Sequence, residues 1–298
     1  MPTKKQPLLI VAALFCTYFI WGSTYLAIKF GIESFPPFLM AGMRFVMAGI
    51  ILYAVMRALG SPNPTAKQWG VATIIGILLP AIGNGTVTYV QQTIASSVAA
   101  LSIATAPIWM AIFSSIWGHH ISRQEWLGIA IGLCGILLLN IGGTFNLSNG
   151  HVDYISAALL IFAAASWSFG SVWSKHLDLP AGLMAPASQM LMGGIALMIF
   201  SAFQGETYPS IISAKSWGAM FFLVVLGSLV AYSAYQYLLK NVRTLVASSN
   251  TFVNPVVAFT VGIWFADETV TMTEYAALAV ILVGVFLVLS ANSKETTP

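Results

Sequence analysis

From residue 8 to residue 291 the chain is a succession of apolar runs, each about as long as a bilayer is thick, with short polar breaks between them. A helix needs about 20 mostly apolar residues to cross the hydrocarbon core. Ten runs meet that length: roughly 8–32, 36–58, 68–91, 96–118, 124–142, 154–175, 182–204, 216–239, 244–266 and 273–291. They are apolar on all sides, whereas barrel strands alternate, so a membrane barrel is set aside. Only 7% of the residues are charged, against about 25% in an ordinary soluble domain. So few charges cannot solvate the surface of a 298-residue globule, and 58% hydrophobic residues are far too many for disorder. The expected fold class is an all-α membrane protein of ten transmembrane helices.

Lys and Arg in short loops set orientation. With the N-terminus inside, Lys4, Lys5, Arg57, Lys67, Arg123, Lys175, Lys240, Arg243 and Lys294 fall on the inner side. Lys29 and Lys215 fall on the outer side, and Arg44 lies within the second run. Both termini are therefore expected in the cytoplasm. Met1–Gln6 is basic, but the run after it is too long for a cleavable leader. The net charge of +3 gives no reason to expect nucleic acid. Cys16 and Cys134 both lie in apolar runs and read as packing residues rather than a disulfide.

The two halves align. An offset of 146 places Trp21 on Trp167 and Lys29 on Lys175; from Tyr89 the offset is 148, placing Tyr89 on Tyr237, Val98 on Val246 and Pro107 on Pro255. One further insertion pairs Glu125 with Glu274 and Gly135 with Gly284. The repeats are read as 8–142 and 153–291. Five runs per repeat is an odd number, so the second copy enters the membrane from the opposite side. Two inverted five-helix repeats put a pseudo-two-fold axis in the membrane plane, the architecture of many secondary transporters, with the substrate site near the midplane.

Several residues carry a more specific likeness. They are Trp21-Gly22-Ser23-Thr24-Tyr25, Arg44-Phe45, Ala106-Pro107, Asn254-Pro255, and the stretches opening with Glu125 and Glu274 and reaching Gly135 and Gly284. With the five-plus-five arrangement, the chain resembles the EamA family of the drug/metabolite transporter superfamily, in its branch of bacterial inner-membrane permeases. The resemblance implies export of a small organic solute by alternating access: an amino acid, a related metabolite or a toxic analogue. His119-His120 stands where Asp267-Glu268 stands in the second repeat, so the family's usual acidic residue there is absent from the first.

Polar groups inside a membrane are costly, about 2.5–3.5 kcal/mol for Arg or Lys at a helix centre. Arg44 is about eight residues into its run and reads either as a cation gripping an anionic part of a substrate or as a structural Arg bonded to carbonyls or to Glu33. Asn84, Ser102, Thr105, Gln189, Tyr232, Tyr235, Asn250 and Asn254 are the other polar residues nearest mid-depth, suited to a polar solute or to joining helices. Trp21 and Trp167 lie at mid-depth, away from the usual interfacial belts, and read as facing walls of a cavity. Pro80, Pro107 and Pro255 interrupt helices and are candidate hinges. Gly128-x-x-x-Gly132 is a close-packing pattern, expected within its own repeat.

No metal-ligand, catalytic or phosphate-loop pattern is read, so no cofactor, metal or ATP is expected. The partners expected are the substrate and the lipid bilayer, with the chain a monomer or weak homodimer. The alternative class is an integral-membrane enzyme acting on a lipid or small molecule. It would need a nucleophile or acid/base cluster at one interface, and the polar residues are scattered at mid-depth instead.

Overall fold

A computed structural model describes residues 6–94, 96–118, 120–141, 154–266 and 272–291, and these are helical with short connections. His119, Asp267 and Glu268, whose asymmetry stood out in the sequence, lie outside the described residues. The helices are α1 (Gln6–Gly31), α2 (Pro37–Ala58), α3 (Ala66–Gly76), α4 (Thr86–Val90), α5 (Ser96–Ile103), α6 (Ala106–Ile116), α7 (Arg123–Ile141), α8 (Tyr154–Ser174), α9 (Met184–Phe203), α10 (Ala214–Phe222), α11 (Ala231–Asn241), α12 (Thr244–Ser248), α13 (Asn250–Ala266) and α14 (Met272–Ser290). Two wide π-helical segments, π1 (Ile77–Gly85) and π2 (Leu223–Val230), join α3 to α4 and α10 to α11.

Among the described residues, six helical stretches are long and apolar enough to cross a membrane: Gln6–Gly31, Pro37–Ala58, Ala66–Val90, Ile155–Ser174, Met184–Phe203 and Ala214–Asn241. Ala106–Ile116 and Ala279–Ser290 are shorter apolar helices. Large apolar side chains such as Phe15, Phe162, Trp126 and Phe286 are exposed on the outer faces. In hydrocarbon that exposure carries no hydrophobic penalty, so helix association rests on close packing and hydrogen bonds.

Glycine supplies the close packing. The two broadest helix contacts are α2 on α9 and α7 on α14. A Cβ added at Gly49 would lie 2.6 Å from the backbone nitrogen of Leu191, so only a bare Cα fits there. The Gly128-x-x-x-Gly132 face packs onto α14, not within its own repeat as expected. A Cβ at Gly284 would lie 2.7 Å from the Gly132 Cα. Glycine on both partners lets the two backbones approach closely.

Helix ends are tied by both local and remote groups. The Glu206 carboxylate accepts from Phe38 N (3.2 Å) and Leu39 N (2.8 Å), capping α2, whose Pro37 cannot donate. The α3 start carries a reciprocal capping box, with Thr65 and Gln68 each accepting from the other's backbone nitrogen. Lys29 reaches the Gln91 carbonyl (3.4 Å), and its aligned counterpart Lys175 reaches the Thr244 hydroxyl (3.3 Å). Glu33 pairs with Lys215 at 2.6 Å. Buried Glu125 pairs with Arg243, which also donates to the Val288 carbonyl at 3.1 Å.

The prolines act differently from one another. Pro80 lies inside π1, where it cannot donate to the carbonyl of the preceding turn. Pro107 sits in the first turn of α6, just after a break at Ala104–Thr105. Pro255 does not interrupt its helix: α13 runs through it from Asn250 to Ala266, and the break falls earlier, at Ser249. A proline so near a helix start costs a single backbone bond, which the surrounding packing absorbs.

Candidate functional site

The central cavity has a volume of about 70 Å³, and four helical stretches shape most of it. From α1 come Trp21, Thr24, Tyr25 and Ile28, spaced so that they share one face. From π1 and α4 come Gly83, Asn84 and Val87; from α8, Ala163, Ala164 and Trp167; from α13, Asn250, Thr251 and Asn254. Two consecutive alanines on α8 leave the void that larger side chains would fill. No charged residue lines the cavity among the described residues.

Trp21 and Trp167 both line it, but as touching rings rather than as walls with a gap between. Their centroids are 5.4 Å apart at 83°, an edge-to-face contact. Trp21 donates to the Gly227 carbonyl (3.0 Å). Trp167 donates to the Tyr235 hydroxyl (3.0 Å), which also bonds the Ser171 hydroxyl (2.8 Å). Gly83 packs against Trp167 so closely that a Cβ would lie 2.8 Å from the ring. Each indole is therefore fixed by one hydrogen bond and by ring contact. Tyr232 and Tyr235 stand behind this layer, not in the cavity wall. Gln189 is fully buried and accepts from the Tyr232 hydroxyl at 2.8 Å.

Arg44 does not line the cavity either. It is 2% exposed, with its Nε donating to the Ser228 hydroxyl (2.8 Å) and one terminal nitrogen to Asn84 Oδ1 (3.1 Å). Its guanidinium also lies 4.7 Å from the Phe45 ring centre. The sequence offered Glu33 as a structural partner, but Glu33 is engaged with Lys215. Asn84 is thus the residue that stands between the cation and the cavity.

On α13, Asn254 donates to the Asn250 carbonyl (2.9 Å) and the Tyr18 carbonyl (3.2 Å) once its amide is oriented to suit its neighbours. Asn250 is 2% exposed and its Oδ1 has no hydrogen-bond partner among the described residues. A buried acceptor left bare costs free energy that a ligand donor or an ordered water recovers. Ser102 and Thr105 are absent from the lining; the Thr105 hydroxyl bonds back to the Ser102 carbonyl across the α5–α6 break. Sequence reasoning missed Thr24 and Thr251, whose hydroxyls donate to Trp21 O (2.7 Å) and Ser248 O (2.8 Å). Thr24 follows Trp21 by three residues, so helical spacing alone could have found it.

Comparison with known proteins bears on what such a cavity is for. The EamA-like transporter family matches the chain twice, over residues 8–141 and 155–290. The chain belongs to that family. It is 43% identical over 285 residues to the "Uncharacterized inner membrane transporter YedA" of Escherichia coli K12, covering 95% of this chain and 92% of that protein. It is 26% identical over 288 residues to a WAT1-related chloroplastic protein of Arabidopsis thaliana, covering 92% of this chain and 68% of that protein. A solved crystal structure superimposes with a TM-score of 0.75 at 18% identity, covering 93% of this chain and 95% of the other, which shows a shared fold. The chain is accordingly a multi-pass membrane protein of a transporter family, and its homologues point to transport rather than to an enzyme.

Proposed function

We propose that the chain carries a small organic solute, an amino acid, a related metabolite or a toxic analogue, outward across the inner membrane by alternating access. Ten membrane spans form two inverted repeats, 8–142 and 153–291, with both termini in the cytoplasm. The double family match supports the repeat, as do the contacts between counterpart helices, α2 with α9 and α7 with α14. The inner bias of Lys and Arg supports the orientation.

The observation that carries the reading is the central cavity. It is uncharged, walled by two edge-packed indoles, and edged by amides from both halves of the chain, Asn84 and Asn250. Trp21, Trp167, Asn84, Asn250 and Asn254 meet the solute, while Tyr232, Tyr235, Gln189 and Arg44 hold those groups in place. Pro80, within π1, and Pro107, just after the α5–α6 break, serve as hinges.

The test is exchange in proteoliposomes, using solutes selected from a metabolite panel by thermal shift of the purified protein. Alternating access predicts faster efflux of labelled solute when unlabelled solute is present on the far side. Equal efflux with and without it rejects the mechanism. No thermal shift from any metabolite, with the fold intact, rejects the site.

A further inference from the structure

Asn84, Arg44, Ser228, Gly227 and Trp21 form one connected unit at the wall of the central cavity. Gly227 joins it twice. Its carbonyl accepts from Trp21 at 3.0 Å, and its bare Cα makes room for Arg44, since a Cβ there would lie 2.9 Å from a terminal guanidinium nitrogen. Arg44 is held at its Nε by Ser228 and meets no carboxylate among the described residues. Its other side-chain hydrogen bond goes to Asn84.

An amide side chain can be turned either way, and the two orientations present opposite chemistry. A guanidinium has five donors and no acceptor. Asn84 must therefore offer its oxygen to Arg44, and its NH2 group is directed away from the cation. Asn84 lines the cavity, and Arg44 is its only side-chain partner among the described residues. Across the cavity, the Asn250 oxygen is shut away from the lining surface and has no donor among the described residues. The lining thus carries an oriented donor on the π1 side.

We propose that Arg44 is a positioning residue that locks the Asn84 amide with its NH2 toward the solute, so that the cavity selects solutes bringing a hydrogen-bond acceptor to Asn84. This rests on the central cavity being the solute site. Arg44 then sets specificity without touching the solute. Replacing it with a residue that both donates and accepts frees the amide to turn over, and the donor is lost for part of the time.

Neutral probes separate this role from a direct cationic grip, because charge attraction drops out of both. Acetophenone only accepts hydrogen bonds and indole only donates them. Their binding is measured by calorimetry on full-length protein in nanodiscs, against empty nanodiscs, for wild type, Arg44→Gln, Asn84→Ala and the double variant. Arg44→Gln is expected to weaken acetophenone about three- to tenfold, the factor carried by one hydrogen bond, and to leave indole within about twofold. In the Asn84→Ala background, Arg44→Gln should change acetophenone no further. Gly227→Ala keeps the guanidinium but displaces it, and should reproduce the acetophenone loss if Arg44→Gln fails to fold. Equal weakening of both probes means that Arg44 is merely structural and overturns the proposal. An undiminished loss in the Asn84→Ala background also overturns it, since Arg44 would then act on the solute directly. Failure of wild type to bind either probe overturns the cavity reading beneath it.

Discussion

Arg243→Gln should destabilise the protein by about 3 kcal/mol, because it strips the cation from a carboxylate that water cannot reach. Glu125 is 2% exposed, while the Arg243 side chain is 16% exposed. Breaking a buried pair by removing one partner costs about 3–5 kcal/mol. The lower end applies here, since Glu125 also accepts from Ser122 N at 2.8 Å and the Ser122 hydroxyl at 2.9 Å. Arg243 further ties α14 through the Val288 carbonyl, so the loss spreads to the α7–α14 pair. Removing both charges, in Glu125→Gln with Arg243→Gln, leaves no isolated ion. It should cost at least about 1 kcal/mol less than Arg243→Gln alone. The assay is SDS-titrated unfolding of purified protein in mixed micelles for wild type, both single variants and the double. If the double variant loses the sum of the two single losses, Glu125 and Arg243 are not coupled and the argument from burial fails.

Reporter fusions at Asn149 and at the C-terminus should report opposite sides of the membrane, with the C-terminus inside; a cytoplasmic Asn149 breaks the inverted-repeat reading. Trp21→Ala should weaken solute binding by about 1–3 kcal/mol, and Trp21→Phe by less, with thermal stability measured on the same samples. A collapse of stability with unchanged affinity would make the ring a packing element alone. Gly49→Ala should destabilise by about 1–3 kcal/mol, the range for overpacking, because the new methyl meets Leu191 backbone rather than a yielding side chain; unchanged SDS unfolding would show that α2 and α9 separate freely. Trp167→Phe keeps the ring contact but drops the bond to Tyr235, and should cost about 1 kcal/mol of stability, whereas a loss as large as that from Trp167→Ala would mean the hydrogen bond dominates.

Apolar run length made most of the helices legible in the sequence, because a hydrocarbon-spanning helix has little freedom in composition. The aromatic and amide residues of the site were legible too, as polar or amphipathic groups at unusual depth. Which of them meet was not. Tyr232 and Gln189 bond each other behind the indoles, and Arg44 is screened by Asn84; both facts depend on helix rotation, and helices apolar on every side carry no rotational signal. The Glu125–Arg243 pair was equally hidden, since its members lie 118 positions apart and each reads alone as a charge at a loop. Pro255 misled because proline marks a possible break, while Ser249, the observed one, has no such signature.

π1 and π2 have a consequence for how the site is specified. A π turn holds one residue beyond the α-helical count, and one residue corresponds to about 100° of rotation about the axis. Asn84 lies near the end of π1, and Gly227 and Ser228 lie within π2. Shortening either segment by a single residue would leave hydropathy and length almost unchanged. It would nevertheless swing Asn84 off the cavity wall, or carry Ser228 away from Arg44. The aim of these groups is therefore encoded in arithmetic, as a surplus residue per segment, and substitutions that preserve polarity are safer there than any deletion.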